Sequence, residues 1–272
     1  SASIGLVEST TWLMGSVMSA ASMGFSVQVS HFIGANDFFK ARQVFRHGLL
    51  CGLAFSLIIA AIGTSIHSVL PLWLGGGNDI NHDASQYYLV FSLTMPFILL
   101  FHLSASMIKC SGNMQLPSLM SVLLCVLDVI FNYLFIYILH LGVVGAAIGT
   151  SMAYISTSLP IAWMATRRNK ILALQLDNVP FKWVWDYVTK AIRISLPMAI
   201  QSVLMSGAQI VSTLIVAPLG NIAIASNSFA ITAESLCYMP GYGIGDAATT
   251  LVGQSMGAGQ YGLCRSFAKL TV

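Results

Sequence analysis

Four carboxylates lie inside long apolar stretches of this 272-residue chain. They are Glu8, Asp128, Glu234 and Asp246. A charged side chain at the centre of a membrane helix costs about 2.5–3.5 kcal/mol on insertion scales. Carboxylates that are kept at such a cost bind protons or cations, or hold helices together through hydrogen bonds. We therefore consider all four as candidate sites for a proton, sodium or an organic cation.

Asp128 precedes Asn132 by four residues, so in a helix the two side chains share one face. Tyr133 and Tyr137 are expected to add hydroxyl groups nearby. A carboxylate beside an amide suits a proton or cation site. The same pair would also serve as a contact between helices, which contributes about 0.6 kcal/mol on average in membranes. Residue chemistry alone leaves both interpretations open.

Glu234 is predicted near mid-membrane, in an apolar span at about residues 222–256, and Tyr238 follows one turn later. A proline and three glycines come next: Pro240, Gly241, Gly243 and Gly245. These residues free backbone carbonyls and permit a hinge. Glu234 would then bind an organic cation, a proton or sodium. The alternative is a kink needed for packing, with Glu234 hydrogen-bonded to a neighbouring Ser or Thr.

Composition indicates the elements that position these residues. Hydrophobic residues make up 56% of the chain and charged residues 8%, whereas soluble domains contain about 25% charged residues. Seven apolar runs are long enough to cross a hydrocarbon core of about 30 Å. They lie at about residues 5–33, 48–74, 85–108, 116–139, 142–166, 192–217 and 222–256. The sequence therefore predicts a polytopic all-α membrane protein.

The basic residues predict the orientation of these spans. If seven spans alternate, all 12 Lys and Arg residues fall on one side, in the loops there or, for Arg193, at the adjoining end of a span. The opposite loops carry only Asp79 and Asp83 as charged residues. The positive-inside rule then places the basic loops and the C-terminal end in the cytoplasm. Asp246, close to that end, is expected to be solvated or paired with a basic loop residue.

The chain also contains an internal repeat. Residues 29–46 realign with residues 252–269 at a constant offset of 223, which brings Gly34 into register with Gly257. Two copies of one membrane-embedded unit are the usual architecture of secondary transporters. The chain is expected to open inside the first copy and to stop early in the second, as a fragment would.

The sequence contains no motif for a metal site, for covalent catalysis or for nucleotide binding. The five cysteines form no CxxC pair, and the six histidines show no metal-ligand spacing. No Ser-His-Asp order, P-loop or dinucleotide fingerprint occurs. The sequence therefore predicts that the protein is not an enzyme and uses no metal, no cofactor and no nucleic acid.

Several motifs resemble those of the multidrug and toxic compound extrusion (MATE) family of antiporters. They are Ile33-Gly34-Ala35, Val252-Gly253-Gln254 with Gly257-Ala258-Gly259, the stretches at 109–117 and 141–150, Ser195-Leu196-Pro197 and Met239-Pro240-Gly241. The resemblance implies two pseudo-symmetric six-helix lobes, of which about seven helices are present. It assigns 1–166 to an N-terminal lobe without its first helix, 167–191 to a cytoplasmic linker and 192–272 to the start of the C-terminal lobe.

The resemblance also implies site residues. Members with an ion-responsive N-terminal lobe carry an amide and a carboxylate four residues apart on the fifth helix and a threonine on the sixth. Asp128, Asn132 and Thr150 match that pattern, with the carboxylate first rather than second. Glu234 is the second coupling candidate. The substrate cleft is expected to include four residues, Glu8, Gln201, Met205 and Tyr238; Met205 replaces the glutamate of some sodium-coupled members.

The implied function is a monomeric antiporter that exports small amphipathic cations in exchange for H⁺ or Na⁺ by alternating access. The first alternative is a flippase for lipid-linked oligosaccharides of the same superfamily. Such an anionic cargo would require Lys or Arg well inside the spans, and the predicted spans contain only Arg193, at the very start of the sixth. A seven-helix receptor is the second alternative, which the internal repeat and the buried acids disfavour.

Overall fold

The structure is a computed structural model that describes residues 2–70, 78–176, 181–216 and 221–271. All regular structure in these ranges is helical. Eight α-helices follow in order: α1 Ala2–Gly34, α2 Phe38–Ile66, α3 Asn78–Cys110, α4 Gln115–Tyr133, α5 Gly142–Trp163, α6 Trp185–Val216, α7 Asn221–Gly257 and α8 Tyr261–Thr271. α4 continues as a π-helical turn over Leu134–Ile138, and α5 as another over Met164–Arg168. The predicted all-α fold is confirmed.

Each of the seven predicted spans falls on one of the long helices α1 to α7. Five segments of the described chain are long and apolar enough to cross a membrane: Phe38–Ile66, His82–Cys110, Gln115–Ile138, Gly142–Arg168 and Trp185–Ala208. These helices expose large apolar side chains, such as Leu57 at 53% and Val129 at 68%. Uncovered apolar surface of this extent fits contact with lipid.

Helix α1 lies at the centre of the described structure. It packs against α2, α3, α6 and α7, while α3 packs against α5, and α5 against α4. The core between these helices includes Val29 and Phe45, both 0% exposed. A Cβ at Gly24 would collide with the Ser195 hydroxyl and the Ala191 carbonyl oxygen of α6. This glycine therefore allows the start of α6 to lie directly against α1.

The two repeated segments meet where α1 and α7 end. A Cβ at Gly34 would collide with the carbonyl oxygen of Gln254, and a Cβ at Gly257 with the carbonyl oxygen of His31. The offset of 223 residues converts one of these contacts into the other, since it maps His31 onto Gln254 and Gly34 onto Gly257. Reciprocal contacts of this kind relate two surfaces by a two-fold axis.

The turns that follow the two helices also repeat. Asn36 has a φ of +56° and Gly259 a φ of +70°, so each helix ends on a residue in the left-handed region. The next helix begins two residues later in both copies, at Phe38 and at Tyr261. The internal repeat predicted from the sequence is therefore present in the fold.

The connection between α5 and α6 is anchored on α2. Arg42 Nη1 donates a hydrogen bond of 2.9 Å to the Ile171 carbonyl oxygen. The Val184 amide donates to His47 Nε2 at 2.9 Å, and His47 Nδ1 lies 2.7 Å from the Gln43 carbonyl oxygen. An amide only donates and a carbonyl only accepts, so these partners fix the fully buried imidazole as the neutral Nδ1–H tautomer.

Candidate functional site

Asp128 and Asn132 lie where α4 packs closely against α5. A Cβ at Gly149 of α5 would lie 2.5 Å from Asn132 Oδ1 and 2.9 Å from the Asn132 backbone nitrogen. A Cβ at Gly145, one turn earlier, would lie 2.8 Å from the Phe135 carbonyl oxygen. The two glycines therefore allow the backbones to approach, and this approach buries the amide oxygen of Asn132.

One side-chain oxygen of each residue in this pair lacks a hydrogen-bond partner in the described part of the chain. Asp128 Oδ1 and Asn132 Oδ1 are both buried, and neither accepts a hydrogen bond from any residue that the structure describes. By contrast, Thr94 Oγ1 and Ser151 Oγ, between α3 and α5, lie 2.6 Å apart and satisfy each other. An unpaired buried acceptor costs about 1–3 kcal/mol, and more when it is charged. The geometry therefore favours a proton or cation site over a completed contact between helices.

Helix α5 places two hydroxyl-bearing residues beside this pair. Thr150 follows Gly149 directly and is half-buried, although no hydrogen bond joins it to Asp128 or Asn132 among the described residues. Tyr154, one turn later on α5, lies within electrostatic range of the Asp128 carboxylate. Sequence reasoning missed Tyr154. Its spacing of four residues from Thr150 was the available signal, since that spacing places both on one helix face.

Tyr133 and Tyr137 do not join the pair as predicted. Their side chains are 60% and 65% exposed, and their ring centroids lie 5.4 Å apart. Both tyrosines therefore lie on the outer surface of this region, where they contact each other.

The residues predicted for the second site lie on α6 and α7. Glu234 and Tyr238 are exposed on α7, and Gln201 and Met205 are exposed on α6. The rings of Tyr238 and Tyr242 meet edge to face, with centroids 5.5 Å apart. Helix α7 packs on α1 and α6 rather than on α4 or α5. Glu234 and Asp128 therefore belong to two separate groups of residues.

Helix α7 stays helical through the predicted hinge. Pro240 lies inside it, and a Cβ at Gly241, Gly243 or Gly245 would meet nothing within 4 Å. No steric contact therefore explains these three glycines, and the hinge stays a prediction. The side chain of Glu8, predicted for the substrate cleft, lies outside the described part of the chain.

An apolar cavity of about 290 Å³ lies between α1, α2, α3 and α6. Phe25, Cys51, Leu99 and Leu196 are among the residues that line it. None of the site residues predicted from the sequence contributes to this cavity.

Comparison of the sequence with known proteins gives consistent matches. The family model described as MatE matches residues 2–134 and 197–272. A probable multidrug resistance protein NorM of Thermotoga maritima is 26% identical over 261 residues, which cover 94% of this chain and 55% of NorM. The multidrug export protein MepA of Staphylococcus haemolyticus is 28% identical over 207 residues, or 75% of this chain and 45% of MepA. The chain thus spans about half the length of these curated relatives.

Solved structures share the fold. A crystal structure of MATE in complex with MaL6 superimposes with a TM-score of 0.93 at 22% identity, covering 99% of this chain and 60% of that one. A MOP superfamily transporter from Pyrococcus furiosus gives a TM-score of 0.90 at 23% identity, with the same coverage. An outward-facing multidrug resistance MATE transporter gives 0.86 at 21% identity over 99% of this chain and 60% of its own.

Proposed function

Since this chain belongs to the MatE family, we propose that the full-length protein is a secondary transporter of the cytoplasmic membrane. It exports small amphipathic cations, including drugs, in exchange for H⁺ or Na⁺ by alternating access. The observation that carries the proposal is the buried, unpaired carboxylate oxygen of Asp128 beside the unpaired amide oxygen of Asn132. The names of two relatives, a multidrug resistance protein and a multidrug export protein, support the class of cargo.

Asp128 acts in this proposal as the coupling group. A carboxylate oxygen that is buried without a hydrogen-bond partner is costly, and a proton or a sodium ion at Asp128 relieves that cost. Asn132 Oδ1 and the hydroxyls of Thr150 and Tyr154 supply further oxygen ligands of the kind that sodium prefers. Binding the ion therefore stabilises the conformation in which α4 and α5 enclose it. A ligand changes a conformational equilibrium only through such a difference in affinity.

Glu234 acts as the cargo-binding group. Its carboxylate attracts a cation, and Tyr238 and Tyr242 on the same helix offer aromatic faces that attract cations as well. Met205 on α6 adds a flexible apolar side chain, which suits ligands of varied shape. This combination favours organic cations over the anionic cargo of an oligosaccharide flippase.

Efflux of ethidium from cells that make the full-length protein tests this function. We expect efflux to stop when one gradient, of protons or of sodium, is collapsed. Asp128→Asn and Glu234→Gln are each expected to reduce efflux at least tenfold, because each removes one charge on which coupling or cargo binding depends. Asp83→Asn is the matched control, since Asp83 is exposed near the start of α3.

Normal efflux in both variants would overturn these assignments. If the unmodified protein moves no cation under either gradient, the proposal of drug export is wrong and the flippase alternative takes its place.

A further inference from the structure

The C-terminal end of α3 is joined to α7 by an ion pair. Lys109, next to the last residue of α3, places its Nζ 2.5 Å from Oδ2 of Asp246 on α7. Asp246 was expected to be solvated or paired with a basic loop residue; it pairs with a basic residue, which lies in the last turn of α3 rather than in a loop. Two other ion pairs, Lys40–Asp37 and Lys190–Asp186, join residues only three or four positions apart. The Lys109–Asp246 pair instead spans 137 positions and links the two predicted lobes.

A second polar contact lies beside this ion pair. The Gln254 side-chain amide of α7 donates a hydrogen bond of 2.7 Å to the carbonyl oxygen of Cys110. The Cys110 thiol is 4% exposed and donates to the Ser26 carbonyl oxygen of α1 at 3.3 Å. Helix α7 therefore covers Cys110 directly.

These contacts lie at the same end as the reciprocal crossing of Gly34 and Gly257. The helices that follow α1 and α7 there carry basic residues, among them Arg42 on α2 and Arg265 on α8. Toward the other end of α7, Glu234 is exposed and the glycines after Pro240 touch nothing. Helix α7 is thus held to the first lobe toward its C-terminal end, while its described side chains between residues 233 and 245 are exposed.

We propose that Lys109 and Asp246 are positioning residues that keep the two lobes together at this end. The proposal rests on the proposed function, because alternating access requires the contact to break once per cycle. Their side chains are 28% and 43% exposed. An ion pair with that much access to water is weak, so it biases the closed arrangement without locking it. The reciprocal glycine crossing brings the helices close enough for the pair to form.

Alkylation of Cys110 measures the opening of this end directly. The experiment uses the full-length protein with Cys110 as its sole cysteine, in inside-out membrane vesicles. The rate of reaction with a membrane-impermeant maleimide is measured without cargo and without any ion gradient. Lys109→Gln and Asp246→Asn are each expected to raise that rate about two- to fivefold, the population shift that follows from losing one partly exposed ion pair.

Exchanging the two charges tests whether the change in rate comes from losing the ion pair or from losing either charge by itself. The double variant Lys109→Asp with Asp246→Lys is expected to return the rate of alkylation toward that of the unmodified protein. Lys190→Gln is the control, because Lys190 and Asp186 form an exposed pair within α6 with an N–O distance of 2.6 Å. It is expected to leave the rate unchanged. Thermal unfolding of each variant in detergent identifies any that is misfolded.

The proposal is overturned if both single variants react at the unmodified rate, or if the exchanged charges react as fast as the single variants. Neither result depends on ethidium transport, because labelling needs no cargo. Conversely, a protein that labels as expected but exports nothing would contradict the proposed function and leave the positioning role of the pair intact.

Discussion

At the scale of single residues, a close approach of two helices and two unpaired acceptors occur at the same place. The amide oxygen of Asn132 is buried because Gly149 has no side chain, and neither this oxygen nor Oδ1 of Asp128, one turn earlier, accepts a hydrogen bond in the described protein. The glycine thus determines how far the site is shielded from water. A site formed by backbone approach is sensitive to a single added carbon atom.

Gly149→Ala is expected to destabilise the protein by about 1–3 kcal/mol, because the new Cβ forces the α4 backbone away from α5. Ethidium efflux should fall with it, since Asn132 is displaced. The measurement is the midpoint of thermal unfolding in detergent, beside Gly207→Ala. A Cβ at Gly207 meets nothing within 4 Å, so that variant should gain up to about 1 kcal/mol. Equal midpoints for the two variants would contradict this account of the packing.

The spacing of residues predicted part of this site and could not predict the rest. Asp128 and Asn132 were found because a spacing of four positions places them on one helix face. Tyr154 was missed because a tyrosine in an apolar span resembles an ordinary packing residue. The partner of Asp246 was not specified, since a pairing across 137 positions depends on how helices are placed in space.

At the scale of elements, the apolar runs predicted the long helices correctly. They did not predict the residues at which α2 and α6 begin. The second span was predicted from about residue 48, yet α2 begins at Phe38. Lys40 and Arg42 end the apolar run without ending the helix, because charged side chains are good helix formers. Helix α6 likewise begins at Trp185, inside the predicted linker. The division into lobes at residues 167–191 stays a prediction.

The hinge predicted in α7 depends on several glycines of that helix together. Replacing Gly241, Gly243 and Gly245 together by alanine introduces no collision. Each alanine favours the helix by up to about 1 kcal/mol, so the triple variant should unfold at the same or a higher temperature. If α7 must unwind or bend there, ethidium efflux should fall about tenfold or more, because the cost of distorting the helix rises. Efflux at the unmodified rate would show that the glycines serve no hinge.

At the scale of the whole molecule, the reciprocal contact between α1 and α7 is its most regular feature. The same offset of 223 residues relates the aligned sequences, the turns at Asn36 and Gly259, and the two glycine contacts. Sequence identity between the copies is low, so the repeat alone was weak evidence. The geometry adds what the residues do not show, namely that the repeated segments face each other.

Because the two contacts are equivalent, Gly34→Ala and Gly257→Ala should behave alike. Each is expected to separate α1 from α7 and to raise the rate of Cys110 alkylation by a similar factor. The double variant should exceed either single variant by less than the product of the two factors, because both changes disrupt one shared contact. Alkylation of the sole-cysteine protein measures all three. Two very different single effects would show that the crossing is not functionally symmetric.

The anchoring of the connection between α5 and α6 has a mechanical consequence. Hydrogen bonds to Arg42 and His47 fix that connection to α2, and Ser195 Oγ donates to the Ala21 carbonyl oxygen of α1 at 3.4 Å. The first three turns of α6 therefore belong to the same rigid body as α1 and α2. The next residue able to act as a pivot is Pro197, which lies inside the helix. Beyond it, α6 is a lever of roughly 30 Å, and a bend of about 10° at Pro197 moves its far end by about 5 Å.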